Sequence, residues 1–155
     1  MDLLYFEDFP PGDVREYGET DVSALRVKNF AEQFDPQPFH LDDRAGRETM
    51  AGGLIASGWH TVVMLHRMNY EGFLKNMASQ GGLGVDEIKW LKPVRPGDRL
   101  RARCTVAAAR PSKSRPELGI VDFAFEAINQ NGEVVMTEKL IALIKRRAAL
   151  AESAP

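Results

Sequence analysis

The segment FDPQPFHLD, residues 34–42, sets a carboxylate, Asp35, and an imidazole, His40, five residues apart with two prolines between them. Five is the wrong interval for one helical face, whose neighbours recur every three or four residues. Pro36 pushes Asp35 into extended backbone, and Pro38 does the same to Gln37. The segment is therefore expected to be a stiff, bent loop and not a helix. Such a loop is either an ordinary helix exit, where Asp and Pro are common turn residues, or the floor of an active site. In the second case Asp35 can take a proton from water while His40 orients that water or passes its proton on. The stiffness keeps both aimed at one molecule.

The elements around the loop must hold it in place. Residues 20–34 read as an amphipathic helix, capped by Thr20, Asp21 or Ser23, with Val22, Leu25, Phe30 and Phe34 as its apolar positions. The proline loop ends it. After a polar stretch, residues 42–49, comes AGGLIASGWH, which opens a second helix over residues 58–74. Its segment WHTVVML carries no charge on any face, and a helix apolar all round is expected to be buried on all sides. The second half of the chain reads as strands. Leu100, Ala102, Cys104 and Val106 alternate with Arg99, Arg101, Arg103 and Thr105, and Val121, Phe123, Phe125 and Ala127 alternate in the same way. The turn NQNG, residues 129–132, leads into a hairpin partner over 134–145. Residues 84–91 form a further strand, joined to the strand at 98–108 through KPVRPGD. A curved antiparallel sheet wrapped around one buried helix accounts for the whole pattern, an α+β class.

Composition narrows the function classes. The 155 residues are 44% hydrophobic and 27% charged, which fits one soluble globular domain over residues 1–147 followed by a frayed tail at 148–155. A net charge of −2 gives no electrostatic case for a nucleic-acid partner. The single cysteine, Cys104, excludes an internal disulfide framework and fits a reducing compartment. The opening MDLLYFEDFPPGD lacks the features of a signal peptide. No apolar run approaches the roughly 20 residues that cross a bilayer. A cytoplasmic protein with no membrane partner is expected.

A long sheet around a central helix resembles the hot-dog fold. Within it, the loop Asp35-Pro36-Gln37-Pro38-Phe39-His40, the helix start Ile55-Ala56-Ser57-Gly58 and the turn KPVRPGD resemble the MaoC-like, R-specific enoyl-CoA hydratases. The resemblance runs over residues 6–145 in the right order. Gln37 stands where the family has Asn, and Ser57-Gly58 where it usually has His-Gly. It implies addition of water to a 2-enoyl-CoA, giving an R-3-hydroxyacyl-CoA, with no cofactor beyond the CoA of the substrate. It also implies at least a homodimer, with an acyl-CoA thioester as partner molecule. Asp35 and His40 would be catalytic, Gln37 and Pro38 would support the loop, and Ser57, Gly58 and His60 would line the oxyanion and substrate site. Gly58, lacking a side chain, would let the thioester oxygen approach its N–H at the positive end of the helix.

Other residues read as structural. Gly52, Gly53 and Gly58 also suit loops and helix entries. His60 and His66 are expected to pack in the core, His60 one turn into the helix and near enough to serve as a secondary pocket residue. The three histidines have no partner at metal-ligand spacing, so no metal site is expected. Cys104 reads as a small core residue. The Arg99, Arg101 and Arg103 face is either solvated or a phosphate contact for CoA. Two rival functions are an acyl-CoA thioesterase and a non-catalytic acyl-CoA-binding protein. The first would place a carboxylate near the start of the central helix, where the first acid is the distant Glu71. The second would be expected to lose Asp35 or His40.

Overall fold

A computed structural model describes residues 2–147, so the frayed tail expected at 148–155 lies outside the described residues. Strands β1 (Val14–Asp21), β2 (Ser79–Trp90), β3 (Arg99–Pro111), β4 (Leu118–Ile128) and β5 (Val134–Lys145) form one antiparallel sheet in the order β1-β3-β4-β5-β2. Helices α1 (Ala24–Phe34), α2 (Pro38–Leu41) and α3 (Asp43–Arg47) precede the central helix α4 (Gly58–Gly72). The sheet wraps α4, and the fold is the hot-dog fold, of α+β class.

The alternation of β3 and β4 does what the sequence implies. Leu100, Ala102, Cys104 and Val106 are buried, as are Val121, Phe123, Phe125 and Ala127. Phe9, Phe73, Phe123 and Phe125 meet ring against ring at one end of this core, where α4 gives out. The NQNG turn closes as expected. Asn129 accepts the N–H groups of Asn131 and Glu133 through its side chain, and Gly132 takes φ +75.

Several expectations need correction. Residues 14–21 are a strand, and α1 starts at Ala24 with Ser23 as its cap, accepting the Arg26 N–H. The strand hides from a hydrophobicity reading because it is an edge strand whose outer face carries charged residues. Glu16 lies opposite Arg103 and Asp21 opposite Arg99. Gly18 bends it with φ +71, and a Cβ there would sit 2.9 Å from Met68 Cβ. Because α1 begins late, its buried face is Val27 and Ala31, while Leu25 and Phe34 are 69% and 68% exposed. The polar stretch at 42–49 contains α3, capped by Asp42. The strand expected from residue 84 begins at Ser79.

The central helix ends at Gly72, not at 74. It is also not buried on every side in this chain. Thr61, Met64, Leu65 and Met68 face the sheet, whereas Trp59, Val63 and Tyr70 are exposed and so is His66, which was expected in the core. The edge strand β2 likewise exposes Leu83 and Val85.

Candidate active site

Asp35 closes α1. Its N–H reaches the Ala31 carbonyl, after which Pro36 ends the helix. Gln37 is extended, with φ −70 and ψ 138. The following residues are not loop, as expected, but the one-turn helix α2, with Pro38 in its first turn. Proline suits that position because the first turn needs no N–H and the ring presets φ. This turn swings His40 inward, leaving it 4% exposed and facing back towards Asp35.

Four groups meet there. The Ser57 hydroxyl donates to Asp35 Oδ2 at 2.6 Å, and the Gln37 amide donates to Asp35 Oδ1 at 2.8 Å. His40 Nε2 lies 3.4 Å from Asp35 Oδ2. His40 Nδ1 lies 2.8 Å from the Ile55 carbonyl oxygen. A carbonyl only accepts, so Nδ1 carries a hydrogen, and the ring turns Nε2 to the carboxylate. A carboxylate oxygen and an imidazole nitrogen so placed can both engage one water. The Ser57 hydroxyl, with smaller contributions from Gln37 and His40, holds the Asp35 carboxyl below its ordinary value against the opposing effect of burial. Asp35 is thus an anion at neutral pH.

Ser57 and Gly58 form the start of α4. Ser57 is fully buried and caps the helix by accepting the Trp59 N–H. The Gly58 N–H is the first of the helix and has no intrahelical acceptor. A cleft of about 270 Å3 opens beside these groups, lined by His40, Ile55, Gly58, Thr61, Trp90 and Val94 among others. It can admit a small unsaturated group between the His40 ring and the helix start.

Two assignments change. The bare Cα of Gly58 does not face open space: a Cβ there would lie 2.5 Å from Trp90 Cε2. The glycine is required by the Trp90 ring, which the sequence reading missed and which only the pairing of β2 brings over α4. Its N–H remains an available donor. His60 is not in the cleft lining. It stacks on Phe30 of α1 with centroids 4.7 Å apart and planes at 7°. Burial, with the nearby Arg26 adding to it, pushes its pKa down to about 4, so it is a neutral packing residue between α4 and α1.

The remaining candidates are structural. Arg101 and Arg103 pair with Glu16, Arg103 also with Glu126, and Arg99 with Glu19 and Asp21. Burial raises the Cys104 thiol to about 12. Among the described residues no group of three or more His, Cys, Asp or Glu side chains is placed to hold a metal ion. Nor is any helix of the described residues long and apolar enough to cross a membrane.

Comparison with known proteins agrees with this geometry. Residues 8–122, which include Asp35, His40, Ser57 and Gly58, match the MaoC like domain. The crystal structure of a MaoC-like dehydratase from Rhodospirillum rubrum superposes with a TM-score of 0.84 at 41% identity, covering 93% of this chain and 98% of that one. The uncharacterized protein YdeM of Bacillus subtilis is 29% identical over 143 residues, 92% of this chain and all of its own length. A 65-residue stretch, 42% of this chain, is 38% identical to 19% of the mesaconyl-CoA hydratase of Cereibacter sphaeroides. With the domain match spanning most of the chain and the Asp–His pair seated inside it, this protein belongs to the MaoC-like dehydratase family.

Proposed function

We propose that the protein adds water across the double bond of a 2-enoyl-CoA to give an R-3-hydroxyacyl-CoA, and runs the reverse dehydration. The observation that carries the reading is the Asp35 Oδ2 to His40 Nε2 approach of 3.4 Å beside a helix N-terminus. Water held by Asp35 and His40 bonds through its oxygen to the β-carbon. One of its protons passes to the Asp35–His40 pair and is delivered to the α-carbon as the double bond is consumed. The Gly58 N–H, aided by the helix dipole, takes the charge that develops on the thioester oxygen. The R configuration is what the family resemblance implies. No cofactor enters this balance.

The functional unit in this reading is a homodimer or a higher homo-oligomer. Trp59, Val63, Leu83 and Val85 are apolar and exposed on α4 and on the open edge strand β2, a surface that proteins normally cover. A second copy would cover it and complete the walls of the substrate tunnel. The lone buried cysteine and the absence of a long apolar helix among the described residues support a cytoplasmic location.

The test is hydration of a panel of 2-enoyl-CoA esters, followed as loss of the conjugated-thioester absorbance. Turnover of at least one ester, with the product resolved as the R isomer, is expected. Absence of hydration across the panel, with release of free CoA instead, would replace this reading by a thioesterase.

A further inference from the structure

Two cations near the site have no carboxylate of their own. Arg99, Arg101 and Arg103 are each held by an acid, but Lys28 and Arg95 form no ion pair among the described residues. The fold brings these two together because the turn KPVRPGD docks on the start of α1. The Asp98 carbonyl accepts the Val22 N–H at 2.8 Å, and the Val22 carbonyl accepts the Gly97 N–H at 2.7 Å. Arg95 of that turn and Lys28, one turn into α1, thereby line one cleft of about 560 Å3 together with Ala24, Gly53 and Leu54.

The rest of the lining has the same sign. Ala24 opens α1, whose first N–H groups lack intrahelical acceptors and whose dipole is positive at that end. The Gly53 N–H also has no acceptor among the described residues. Arg95 donates to the Ala51 carbonyl, which holds its guanidinium at this glycine, where a Cβ would stand 3.6 Å from Nη1. Asp43, the one acid of the lining, is engaged by the Leu54 N–H at 3.1 Å and by Arg47 at 2.7 Å. Two cations, a helix N-terminus and a bare backbone N–H around one cleft are the parts of an anion site.

This cleft adjoins the catalytic one. Leu54 and Arg95 line it, while their chain neighbours Ile55 and Val94 line the cleft at His40 and Gly58. On both segments the two linings are one residue, about 3.8 Å, apart. The Ala56 N–H donates to the Val94 carbonyl at 2.8 Å and ties the segments into one shared wall. We propose that Lys28, Arg95 and the Gly53 N–H bind the phosphate groups of the CoA moiety while the thioester lies at Gly58. The proposal rests on the hydratase reading for the place of the thioester. Contacts to this remote, non-reacting part of the substrate then help hold the reacting end in position.

The test uses the full chain and two thioesters of one acyl group, butyryl-CoA and butyryl-N-acetylcysteamine, the second lacking every phosphate. Both are saturated, which keeps binding separate from chemistry, and Kd is measured by calorimetry. Lys28→Gln and Arg95→Gln should each weaken butyryl-CoA about 10-fold, the size of one hydrogen bond to a charged group. Butyryl-N-acetylcysteamine should bind all three proteins equally. Arg95→Gln also loses the Ala51 contact, whereas Lys28→Gln gives up no hydrogen bond within the described chain and is the cleaner variant. Unchanged butyryl-CoA affinity in Lys28→Gln, or equal weakening of both thioesters, overturns the proposal. Inorganic phosphate is titrated alone as well. Phosphate binding that Lys28→Gln abolishes, with butyryl-CoA unmoved, makes the cleft a site for a free anion and overturns the CoA assignment. Hydration of enoyl-CoA esters is measured on the same samples. Turnover with unmoved butyryl-CoA affinity in the variants sinks the anion site alone, and weakened affinity without turnover of any ester sinks the hydratase reading alone. No binding of butyryl-CoA to the wild type sinks both.

Discussion

Ser57→Ala separates the two jobs of one hydroxyl. Ser57 caps α4 by accepting the Trp59 N–H and fixes Asp35 by donating to Oδ2 at 2.6 Å. Losing an N-cap costs about 1 kcal/mol, and losing a hydrogen bond to an ionised group costs about 1.5–3 kcal/mol. The two losses share one atom and do not simply add, so the variant should lose roughly 2–3 kcal/mol. The second effect is on titration. The hydroxyl is the largest influence holding the Asp35 carboxyl below its ordinary value, so its removal raises that value. A carboxyl depressed on folding contributes stability above its unfolded value of about 3.9, and that contribution fades as pH falls through the folded value. Ser57→Ala should therefore shrink the loss of stability seen on acidification below about pH 4, because less depression remains to be lost. The acid limb of kcat/KM for enoyl-CoA hydration should move up in pH for the same reason. With Asp35 no longer anchored, kcat per folded molecule should fall about 10- to 100-fold. Denaturant unfolding and pH–rate profiles on the same samples decide it. An unmoved acid limb with an unchanged rate per folded molecule would leave Ser57 as a helix cap and nothing more.

Asp35→Asn keeps the shape but removes the anion, so hydration should drop roughly 100- to 10,000-fold, with His40→Gln comparable. The double variant should cost little beyond either single one if both act on one water, which steady-state rates will show. Gly58→Ala should destabilise by about 1–3 kcal/mol, because its Cβ collides with the Trp90 ring. Trp90→Leu in the same chain should recover part of that in a double-mutant cycle, and full stability of Gly58→Ala alone would refute the packing argument. Native mass measurement at micromolar concentration should give a dimer, and Leu83→Arg on the exposed β2 edge should yield monomers with impaired hydration. A fully active monomer would remove the partner from the site.

Strands β3 and β4 were legible because residues 100–106 and 121–127 alternate strictly with one face buried, so the period follows from the pattern alone. The first strand was not. Its side chains at Arg15, Glu16 and Glu19 have no apolar period, and its backbone ladder and cross-strand ion pairs are with β3, far along the chain. The Asp35 and His40 pair could be read from proline stiffness, although the same Pro38 that seemed to forbid a helix in fact starts one turn of it. The hydroxyl that anchors Asp35 lies 22 residues away, and no local signal announces such a bond.

The glycine and the central helix teach the same lesson from opposite sides. Gly58 looked like a residue shaped by its substrate, and it turns out to be shaped by Trp90 from the far edge of the sheet. The helix segment WHTVVML looked wholly enclosed, yet Trp59 is 55% exposed in the single chain. A residue type records every surface that will press on it, whichever strand or subunit supplies that surface. Trp59, Val63, Leu83 and Val85 are exposed apolar side chains of α4 and β2. Under the proposed dimer they are interior positions whose other half belongs to a second copy. That would make the cleft at His40 and Gly58 a half-built pocket, with chemistry complete in one chain and walls complete only in two.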